Sequence, residues 1–221
     1  MAASKGPTEV VPSRRGLSAR DTAYEVLRDR IISLDIAPGV PLDESVLSRE
    51  LGLGLTPIRD AIKRLALEHL AVVHPRRGTF ATEVNLGDER WLSEARLALE
   101  GLAAELAASR ATTADREELM RHADALGREH TATGVNEHDA SFHRALYRAA
   151  HNPFIEVTLN QYLNLSLRLW YYCQAGTGRT HEPDKLPVAV VAAILEMDGK
   201  RARAHIEEHL RRSSADLRAV M

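Results

Sequence analysis

The stretch Thr56–Val84, TPIRDAIKRLALEHLAVVHPRRGTFATEV, determines how the first part of the chain folds. It opens on Thr56-Pro57, and proline suits the first turn of a helix because the first N–H groups there have no partner within the helix. A stripe of apolar residues at helical spacing follows, formed by Ile58, Ala61, Ile62, Leu65 and Leu70. Two β-prone runs, 71–73 and 79–84, come next around Pro75-Arg76-Arg77-Gly78, whose glycine supplies a tight turn. The stretch therefore predicts a helix followed by a β-hairpin.

Two shorter helices are predicted before this stretch. The first begins after a Ser18 cap and ends at Ala37-Pro38-Gly39, because proline cannot continue a helix. The second covers residues 44–51, with Val46 and Leu47 facing inward. Three short helices and a hairpin are the plan of a winged helix-turn-helix domain, which we assign to residues 19–84. Residues 1–18 lack apolar periodicity and are predicted to form a flexible arm.

Only helical patterns follow from Leu86 onward. The predicted helices cover residues 88–110, 114–131, 136–151, 153–174, 183–197 and 200–218. The segment 154–175 is apolar on nearly all sides, as expected of a central, enclosed helix. The predicted fold is therefore mainly α: an N-terminal winged helix-turn-helix with a small β-hairpin, and a C-terminal antiparallel all-α bundle over residues 85–221.

Composition limits the function classes. With 221 residues the chain has room for two modest domains. No apolar run is long enough to span a bilayer, so no membrane partner is predicted. The single cysteine, Cys173, excludes an intramolecular disulfide and suits a reducing cytoplasm. Residues 1–82 hold 12 Lys and Arg against 10 Asp and Glu, a charge of +2, whereas residues 83–221 hold 17 against 21, a charge of −4. The more positive part of the chain is therefore the one that contains the domain predicted to bind DNA.

The helix-turn-helix interpretation supplies candidate DNA contacts. The second helix of such a motif enters the major groove and presents residues near its N-terminus to the base edges. Arg59 is the best candidate for reading a base, because its planar fork matches O6 and N7 of guanine. The alternative is a surface arginine paired with Asp60 or Glu68. The candidate DNA contacts, including the tip of the wing, are Ser45, Thr56, Arg59, Lys63, Arg76, Arg77 and Gly78.

This domain resembles a known family. Residues 20–84 resemble the DNA-binding domain of the GntR family of transcription regulators, which implies sequence-specific DNA binding. The resemblance rests on Pro38-Gly39, Leu42-Asp43-Glu44, Leu47 to Leu53, Thr56 to Ile62, Leu65 and Arg77-Gly78-Thr79-Phe80. The family usually has Ser-Arg just before the Thr-Pro pair, where this chain has Gly54-Leu55. The departure removes one expected base reader, so the family's usual operator sequence does not carry over to this chain.

Acidic and imidazole groups are predicted to lie inside the helical bundle. Asp139 and His143 are four residues apart and share one face with Phe142, which should point into the bundle. A carboxylate buried there without a partner would be costly, so it needs a cation, a paired arginine or a metal. His209 and Arg96 also lie on the inward-facing apolar stripes of their helices.

The bundle resembles the FCD effector domain of the FadR subfamily, which implies that it binds a small-molecule effector. The resemblance covers about residues 88–218 and rests on Glu94-Ala95-Arg96, Leu99-Glu100, Ala103-Ala104, Asp139 to His143, Asn152-Pro153 and Ala202 to Leu210. The family usually supplies a third histidine at the start of the penultimate helix, where this chain has Pro187.

Two interpretations of the polar cluster stay open. In the first, the cluster binds one divalent metal (zinc, nickel or manganese), as imidazoles and carboxylates commonly do. The predicted ligands are Asp139, His143 and His209, with His205, His181 or water in the place left by Pro187. In the second, Asp139 pairs with Arg96 or His143 inside the core, and no metal binds.

The sequence as a whole predicts a homodimeric transcription regulator, a repressor, that binds a palindromic operator in double-stranded DNA. A dimer is expected because one short recognition helix reads few base pairs and a twofold axis doubles the site. An effector, expected to be an organic acid, would change the relative placement of the DNA-binding domains. Its candidate contacts are Arg96, Asn164 and Arg168. The alternatives are a constitutive DNA-binding protein without an effector and, from the enzymes, a metal-dependent hydrolase; we expect no enzymatic activity.

Overall fold

The computed structural model describes residues 18–129, 131–177 and 186–221. The chain divides into two units, residues 1–84 and 85–221. Within the described residues the first unit holds three helices and a two-stranded hairpin, and the second is built of helices. The predicted fold class is therefore confirmed. The predicted flexible arm lies outside the described residues, apart from Ser18, and stays a prediction.

The first unit packs its helices around a small apolar core. Helices α1 (Ala19–Ile32), α2 (Glu44–Leu51) and α3 (Leu55–Leu67) precede strands β1 (Ala71–His74) and β2 (Gly78–Ala81). Ser18 caps α1 as predicted, because its side chain accepts a hydrogen bond from the N–H of Asp21. Both α1 and α2 pack against α3. The most completely buried side chains of this core are Ala23, Leu27, Ile31, Ile58, Leu65 and Leu70.

Helix α1 ends earlier than predicted. Its last residue is Ile32, whereas the sequence places the end at Ala37-Pro38-Gly39. Leu34 adopts a φ of 66°, in the left-handed region where helices commonly stop, and the N–H of Ile36 then donates back to the carbonyl of Arg30. The helix therefore ends through a left-handed turn, and the proline only follows it.

The buried face of α2 is narrower than predicted, and strand β2 is shorter. Val46, predicted to face inward, is 39% exposed, whereas Leu47 is buried. β2 ends at Ala81 and not at Val84, because Ala81 pairs with Ala71, the first residue of β1. Gly78 has a φ of 100°, which glycine adopts without strain, as its predicted role in the turn requires.

Helix α4 is central to the second unit. The helices of this unit are α4 (Glu89–Arg110), α5 (Thr113–Leu126), α6 (Ala132–Ala149), α7 (Pro153–Thr177), α8 (Leu186–Leu195) and α9 (Gly199–Val220). α4 packs against α6, α7, α8 and α9. Its inward face carries the small residues Ala103, Ala104 and Ala107, which let neighbouring helices approach closely. A polar side chain on this face of α4 therefore meets several helices at once.

The second unit differs from the prediction at several places, and part of one predicted helix lies outside the described residues. α6 begins at Ala132 and not at residue 136, since Thr131 caps it by accepting from the N–H of Gly134. Gly134, predicted to break the chain, thus lies within the first turn. α7 is not enclosed at its start, where Phe154 is 85% exposed. Residues 183–185, predicted to open the eighth helix, lie outside the described residues.

Candidate functional site

One face of α3 presents candidate DNA contacts to solvent. Thr56, Arg59 and Lys63 are exposed, and their spacing of three and four residues places them on the same side of the helix. Ile58 and Ala61 are buried in the core of the first unit. Because these apolar side chains fix the rotation of α3 about its axis, they also fix which polar side chains face outward.

The remaining candidate DNA contacts are exposed as well. Ser45 lies in the first turn of α2, where its backbone N–H donates to the capping carboxylate of Asp43. Arg76, Arg77 and Gly78 are all exposed at the tip of the hairpin. These side chains are therefore accessible to a macromolecule as large as a DNA duplex.

The partner of Arg59 differs from both predicted partners. Its Nε donates to Oε2 of Glu44 on α2, at 2.5 Å. Asp60, one predicted partner, pairs with Arg20 instead. Glu68, the other predicted partner, is buried and accepts from Arg64. Arg59 thus bridges α3 and α2 on the surface of the first unit. The alternative of a surface arginine in an ion pair is present, with Glu44 in place of Asp60 or Glu68.

In the second unit, Asp139 and His143 of α6 meet His209 of α9. Nε2 of His143 lies 3.2 Å from Nε2 of His209. Nε2 of His209 also lies 3.2 Å from Oδ1 of Asp139, and Nε2 of His143 lies 3.6 Å from Oδ2 of the same carboxylate. Both imidazoles are buried. One nitrogen or oxygen atom of each side chain lies within 4.8 Å of the other two, so the group could hold a metal ion.

The separations of these atoms fit a divalent metal. Two ligand atoms at about 2.0–2.1 Å from a tetrahedral zinc ion are roughly 3.3 Å apart. Nε2 of His209 lies 3.2 Å both from Nε2 of His143 and from Oδ1 of Asp139, whereas the 3.6 Å distance joins Nε2 of His143 to the other oxygen of that carboxylate, Oδ2. Two imidazoles and a carboxylate also form a donor set that suits zinc, nickel and manganese. The residues present are therefore compatible with a bound divalent cation.

Glu100 of α4 is a buried carboxylate beside this group, and the sequence analysis assigned it no role. It is 0% exposed, and its Oε1 accepts from Nε of Arg96 at 2.6 Å. Its Oε2 lies 2.6 Å from Nδ1 of His143, a close contact that is poorly aligned for a full hydrogen bond. Burial alone would raise the pKa of Glu100, but Arg96 and His143 lower this pKa to about 2. Glu100 is therefore ionised, and Arg96 pairs with it.

His205, a further predicted metal ligand, does not join the cluster. Among the described residues, the metal-compatible group consists of Asp139, His143 and His209. His205 is half-buried on α9 and lies outside the group. Pro187 is buried near the start of α8, and its side chain offers no ligand atom. His181 lies outside the described residues.

A small cleft between α4, α7 and α9 contains one of the predicted effector contacts. Arg96 lines the cleft together with Ser93, Ser166 and Trp170. The volume of this cleft is about 20 Å³, which accommodates water but not an organic acid. A larger ligand therefore requires the helices to move apart.

The other two predicted effector contacts lie on α7 and do not line this cleft. Asn164 and Arg168 are both buried. The amide oxygen of Asn164 accepts from Nη2 of Arg144 at 2.7 Å.

Two functional candidates were missed, and the sequence held a signal for one of them. Glu100 lies four residues after Arg96 on the same inward stripe as Ala103 and Ala107, so a charged side chain was predictable inside the bundle. Nothing local links Glu44 to Arg59, which is 15 residues away.

Among the described residues, none of the helices is long and apolar enough to cross a membrane.

Comparison with known families supports the domain type assigned to each unit. Residues 19–81 match the model of bacterial regulatory proteins of the gntR family, and residues 92–212 match that of the FCD domain. The chain therefore belongs to the GntR family of transcription regulators, in the group that carries a C-terminal FCD domain. Such regulators bind DNA, and their FCD domains bind small-molecule effectors and often a metal. The family is one of regulators and not of enzymes, so the hydrolase alternative has no support.

Individual relatives match either the whole chain or its first part. The HTH-type transcriptional repressor RspR of Escherichia coli K12 is 26% identical over 203 residues, which cover 89% of this chain and 88% of that protein. An uncharacterized HTH-type transcriptional regulator in an unstable DNA locus of Streptomyces ambofaciens is 35% identical over 83 residues, which cover 36% of this chain and 35% of that protein.

Solved structures share the fold along most of the chain. E. coli McbR/YncC covers 92% of this chain with a TM-score of 0.75 and 21% identity, and 98% of its own chain is matched. A GntR regulator from Rhodococcus sp. RHA1 covers 92% of this chain with a TM-score of 0.71 and 20% identity, and 99% of its own chain is matched. At these identities the likeness concerns the fold.

Proposed function

We propose that this regulator is a homodimeric repressor that binds a palindromic operator and responds to a carboxylate effector at a divalent metal. The metal is held by Asp139, His143 and His209. The observation that carries the proposal is the convergence of three ligand atoms from α6 and α9 inside the effector domain. RspR, a relative along most of the chain, is itself a repressor, which supports repression here.

The DNA contacts of the proposal come from the exposed side of the first unit. Arg59 reads a base in the major groove, where its guanidinium matches the two acceptors of guanine. Lys63 and the wing residues Arg76 and Arg77 contact phosphates or the adjacent minor groove. One recognition helix covers few base pairs, so a second copy related by a twofold axis supplies the specificity that a repressor needs.

The operator is found by selecting bound duplexes from a random-sequence library with the full-length protein. We expect a palindrome, and operator affinity that falls steeply with added salt because phosphate contacts release counterions. Arg59→Ala relaxes the preference at one position of each half-site by about 1–3 kcal/mol, whereas Lys63→Ala weakens binding to all sequences alike.

The control for the operator experiment is Arg128→Ala. Arg128 is an exposed arginine that pairs with Asp124 at 3.4 Å in the second unit, so its removal leaves operator binding unchanged. A selected site without symmetry, or a monomer by light scattering, contradicts the dimer. Unaltered sequence preference in Arg59→Ala contradicts the role of Arg59.

An effector carboxylate would take the open position of a metal held by Asp139, His143 and His209. Arg96, which lines the cleft, would bind the same ligand once the helices have moved apart. Three protein ligands leave a zinc ion an open position, which a carboxylate can take. Arg96 is charged and lines the cleft, with its Nε engaged by Glu100. The forked end of a guanidinium beyond Nε matches the two oxygens of a carboxylate. Asn164 and Arg168 contact the effector only after α7 has moved to open the cleft.

The metal content of the dialysed protein tests the site. We expect near-stoichiometric zinc, nickel or manganese by plasma mass spectrometry, and its loss in Asp139→Asn. The matched control is Glu137→Gln, the same carboxylate-to-amide change at an exposed position two residues away on α6. A wild-type protein that takes up none of the three metals when they are supplied contradicts the metal site.

A constitutive DNA-binding protein without an effector is the remaining alternative. Screening carboxylic acids by thermal unfolding in the presence of zinc separates the two, because a ligand that binds the folded state raises its apparent stability. A hit that shifts the wild type but not Arg96→Lys, which keeps the charge beside Glu100 and loses the fork, and that changes operator affinity, supports the sensor. Stabilising acids whose effect is the same in Arg96→Lys contradict the role of Arg96.

A further inference from the structure

We infer that Glu100 is a positioning residue of the effector domain, which sets the orientation and the protonated nitrogen of His143 and ties this ligand to Arg96. The inference rests on the metal site proposed above. Glu100 does not belong to the three-residue metal cluster. It acts on the metal through His143, from the opposite side of the imidazole ring.

The geometry defines what Glu100 does to His143. The carboxylate lies 2.6 Å from Nδ1, whereas Nε2 of the same ring faces His209 at 3.2 Å. A carboxylate that pairs with Arg96 and lies against Nδ1 favours a proton on that nitrogen. Nε2 then keeps its lone pair and points it towards Asp139 and His209. This is the state in which an imidazole can bind a metal, so Glu100 prepares His143 before a metal arrives.

Burial explains why this arrangement is specific. Glu100 is fully buried, and a carboxylate in such a place is stable only with partners on its oxygens. Arg96 engages one oxygen and His143 contacts the other. Because α4 packs against both α6 and α9, a side chain on its inward face can reach a ligand on another helix. The same carboxylate therefore connects His143 to Arg96, which lines the cleft.

The first test compares zinc affinity in two glutamate-to-glutamine variants of the full-length protein. Glu100→Gln keeps the shape of the side chain and removes its charge. We expect zinc, measured by competition with a chromophoric chelator, to bind about 10- to 100-fold more weakly than in the wild type. The control is Glu105→Gln on the same helix, where the side chain is 45% exposed and pairs with Arg203 at 3.2 Å. We expect the control to bind zinc as the wild type does.

Circular dichroism establishes that both variants are folded at the temperature of the titration. Zinc affinity in folded Glu100→Gln equal to that of the wild type overturns the inference. An equal loss of affinity in Glu105→Gln overturns it too, because the effect would then belong to any charge removed from α4.

The second test needs no metal. Nitrogen-15 spectra of histidine-labelled, metal-free wild type report which ring nitrogen carries the proton, and the signal of His143 is identified by its loss in His143→Gln. We expect the proton on Nδ1, and a proton on Nε2 overturns the inference. If the wild type binds no zinc, nickel or manganese, the proposed metal site is wrong, and this measurement alone decides whether Glu100 orients His143.

Discussion

Two arginine–glutamate pairs show how differently the two units of the chain use charge. Arg59 and Glu44 join α3 to α2 on the surface, with side chains 55% and 38% exposed. Arg96 and Glu100 lie one turn apart in α4, at 10% and 0% exposed. The nitrogen–oxygen distances are nearly the same, 2.5 and 2.6 Å. The distance alone therefore does not tell what a pair contributes, because the surrounding solvent changes its energy.

Solvent also determines what each pair can do. Exposed ion pairs are worth about 0.2–1 kcal/mol, so Arg59 can leave Glu44 for DNA at little cost. A buried pair loses far more when one partner is removed, because the other charge remains in a medium that solvates it poorly. Under the proposed function, exposed charges of the first unit bind DNA, whereas the buried pair of the second unit serves a ligand that enters the bundle.

The largest effect on stability is expected from breaking the buried pair. Arg96→Met leaves the buried carboxylate of Glu100 without its main partner and destabilises the second unit by about 3–5 kcal/mol. Urea unfolding followed by tryptophan fluorescence measures this directly, since both tryptophans, Trp91 and Trp170, lie in the second unit. A change in the unfolding free energy below about 1 kcal/mol is typical of an exposed pair, and would contradict the expected difference between the buried and the exposed arginine–glutamate pairs.

The control for the buried pair is Arg203→Met in α9. The side chain of Arg203 is 43% exposed and pairs with Glu207 and Glu105. We expect a change of less than about 1 kcal/mol from this variant, because its partners remain in contact with water.

A smaller effect on stability is expected at two buried tyrosines, one in each unit, which extend the comparison to hydroxyl groups. In the first unit the hydroxyl of Tyr24 donates to the buried carboxylate of Glu68 at 2.7 Å. In the second the hydroxyl of Tyr147 is buried near Glu100 and Arg96 without a well-aligned hydrogen bond. Tyr24→Phe is expected to destabilise the first unit by about 1.5–3 kcal/mol, the usual contribution of a hydrogen bond to a charged group.

Tyr147→Phe is the matched comparison and should change stability less than Tyr24→Phe does, because the hydroxyl of Tyr147 lies near the Arg96–Glu100 pair without a well-aligned hydrogen bond. Hydrogen exchange followed by mass spectrometry resolves the two units: Tyr24→Phe accelerates exchange in α1 and α3, and Tyr147→Phe accelerates it less in α6. The reverse pattern would show that the two hydroxyls have been assigned the wrong energetics.

The contribution of Tyr24 should also depend on pH. Burial and the hydrogen bond to Glu68 raise the pKa of Tyr24 from 10.0 to about 12. A group whose pKa is raised on folding stabilises fully below its unfolded value and loses that contribution as the pH rises through its folded value. The stability difference between wild type and Tyr24→Phe should therefore shrink between pH 10 and pH 12. Exchange rates in α1 and α3 across this range measure it, and a constant difference contradicts the pKa shift.

The smallest effect is expected from the exposed pair. Glu44→Gln removes the partner of Arg59 and should change the stability of the first unit by less than about 1 kcal/mol. Exchange rates in α2 and α3 check this value. A destabilisation as large as that of Tyr24→Phe would mean that the pair is structural, and that Arg59 is not available for DNA.

The sequence predicted the first unit well where the signals are local. The cap at Ser18, the buried stripe through Ile58 and the turn at Gly78 each depend on neighbours in the chain, and all three are present. The predicted end of α1 was wrong, because Leu34 adopts a left-handed conformation that stops the helix before the proline. The sequence did not reveal the ion-pair partner of Arg59, because that partner depends on how α2 lies against α3.

The candidate site of the second unit was predictable residue by residue, but its geometry was not. Helical spacing places His143 and His209 on inward faces, which suffices to nominate them. Their separation of 3.2 Å depends on how α6 and α9 are arranged around α4. The role of Glu100 depends on the same packing, since helical spacing reveals its position beside Arg96 but not its contact with His143.

The sequence by itself determined where the helices and the hairpin lie, apart from some of their ends, and which face most of the helices bury. These follow from spacing and turn chemistry, which act over a few residues. Only the tertiary structure decided which charges are paired, which of them water reaches, and which side chains form one cluster. The reason is physical: an electrostatic contribution depends on distance and on desolvation, and both are set by helices that meet far apart in the chain.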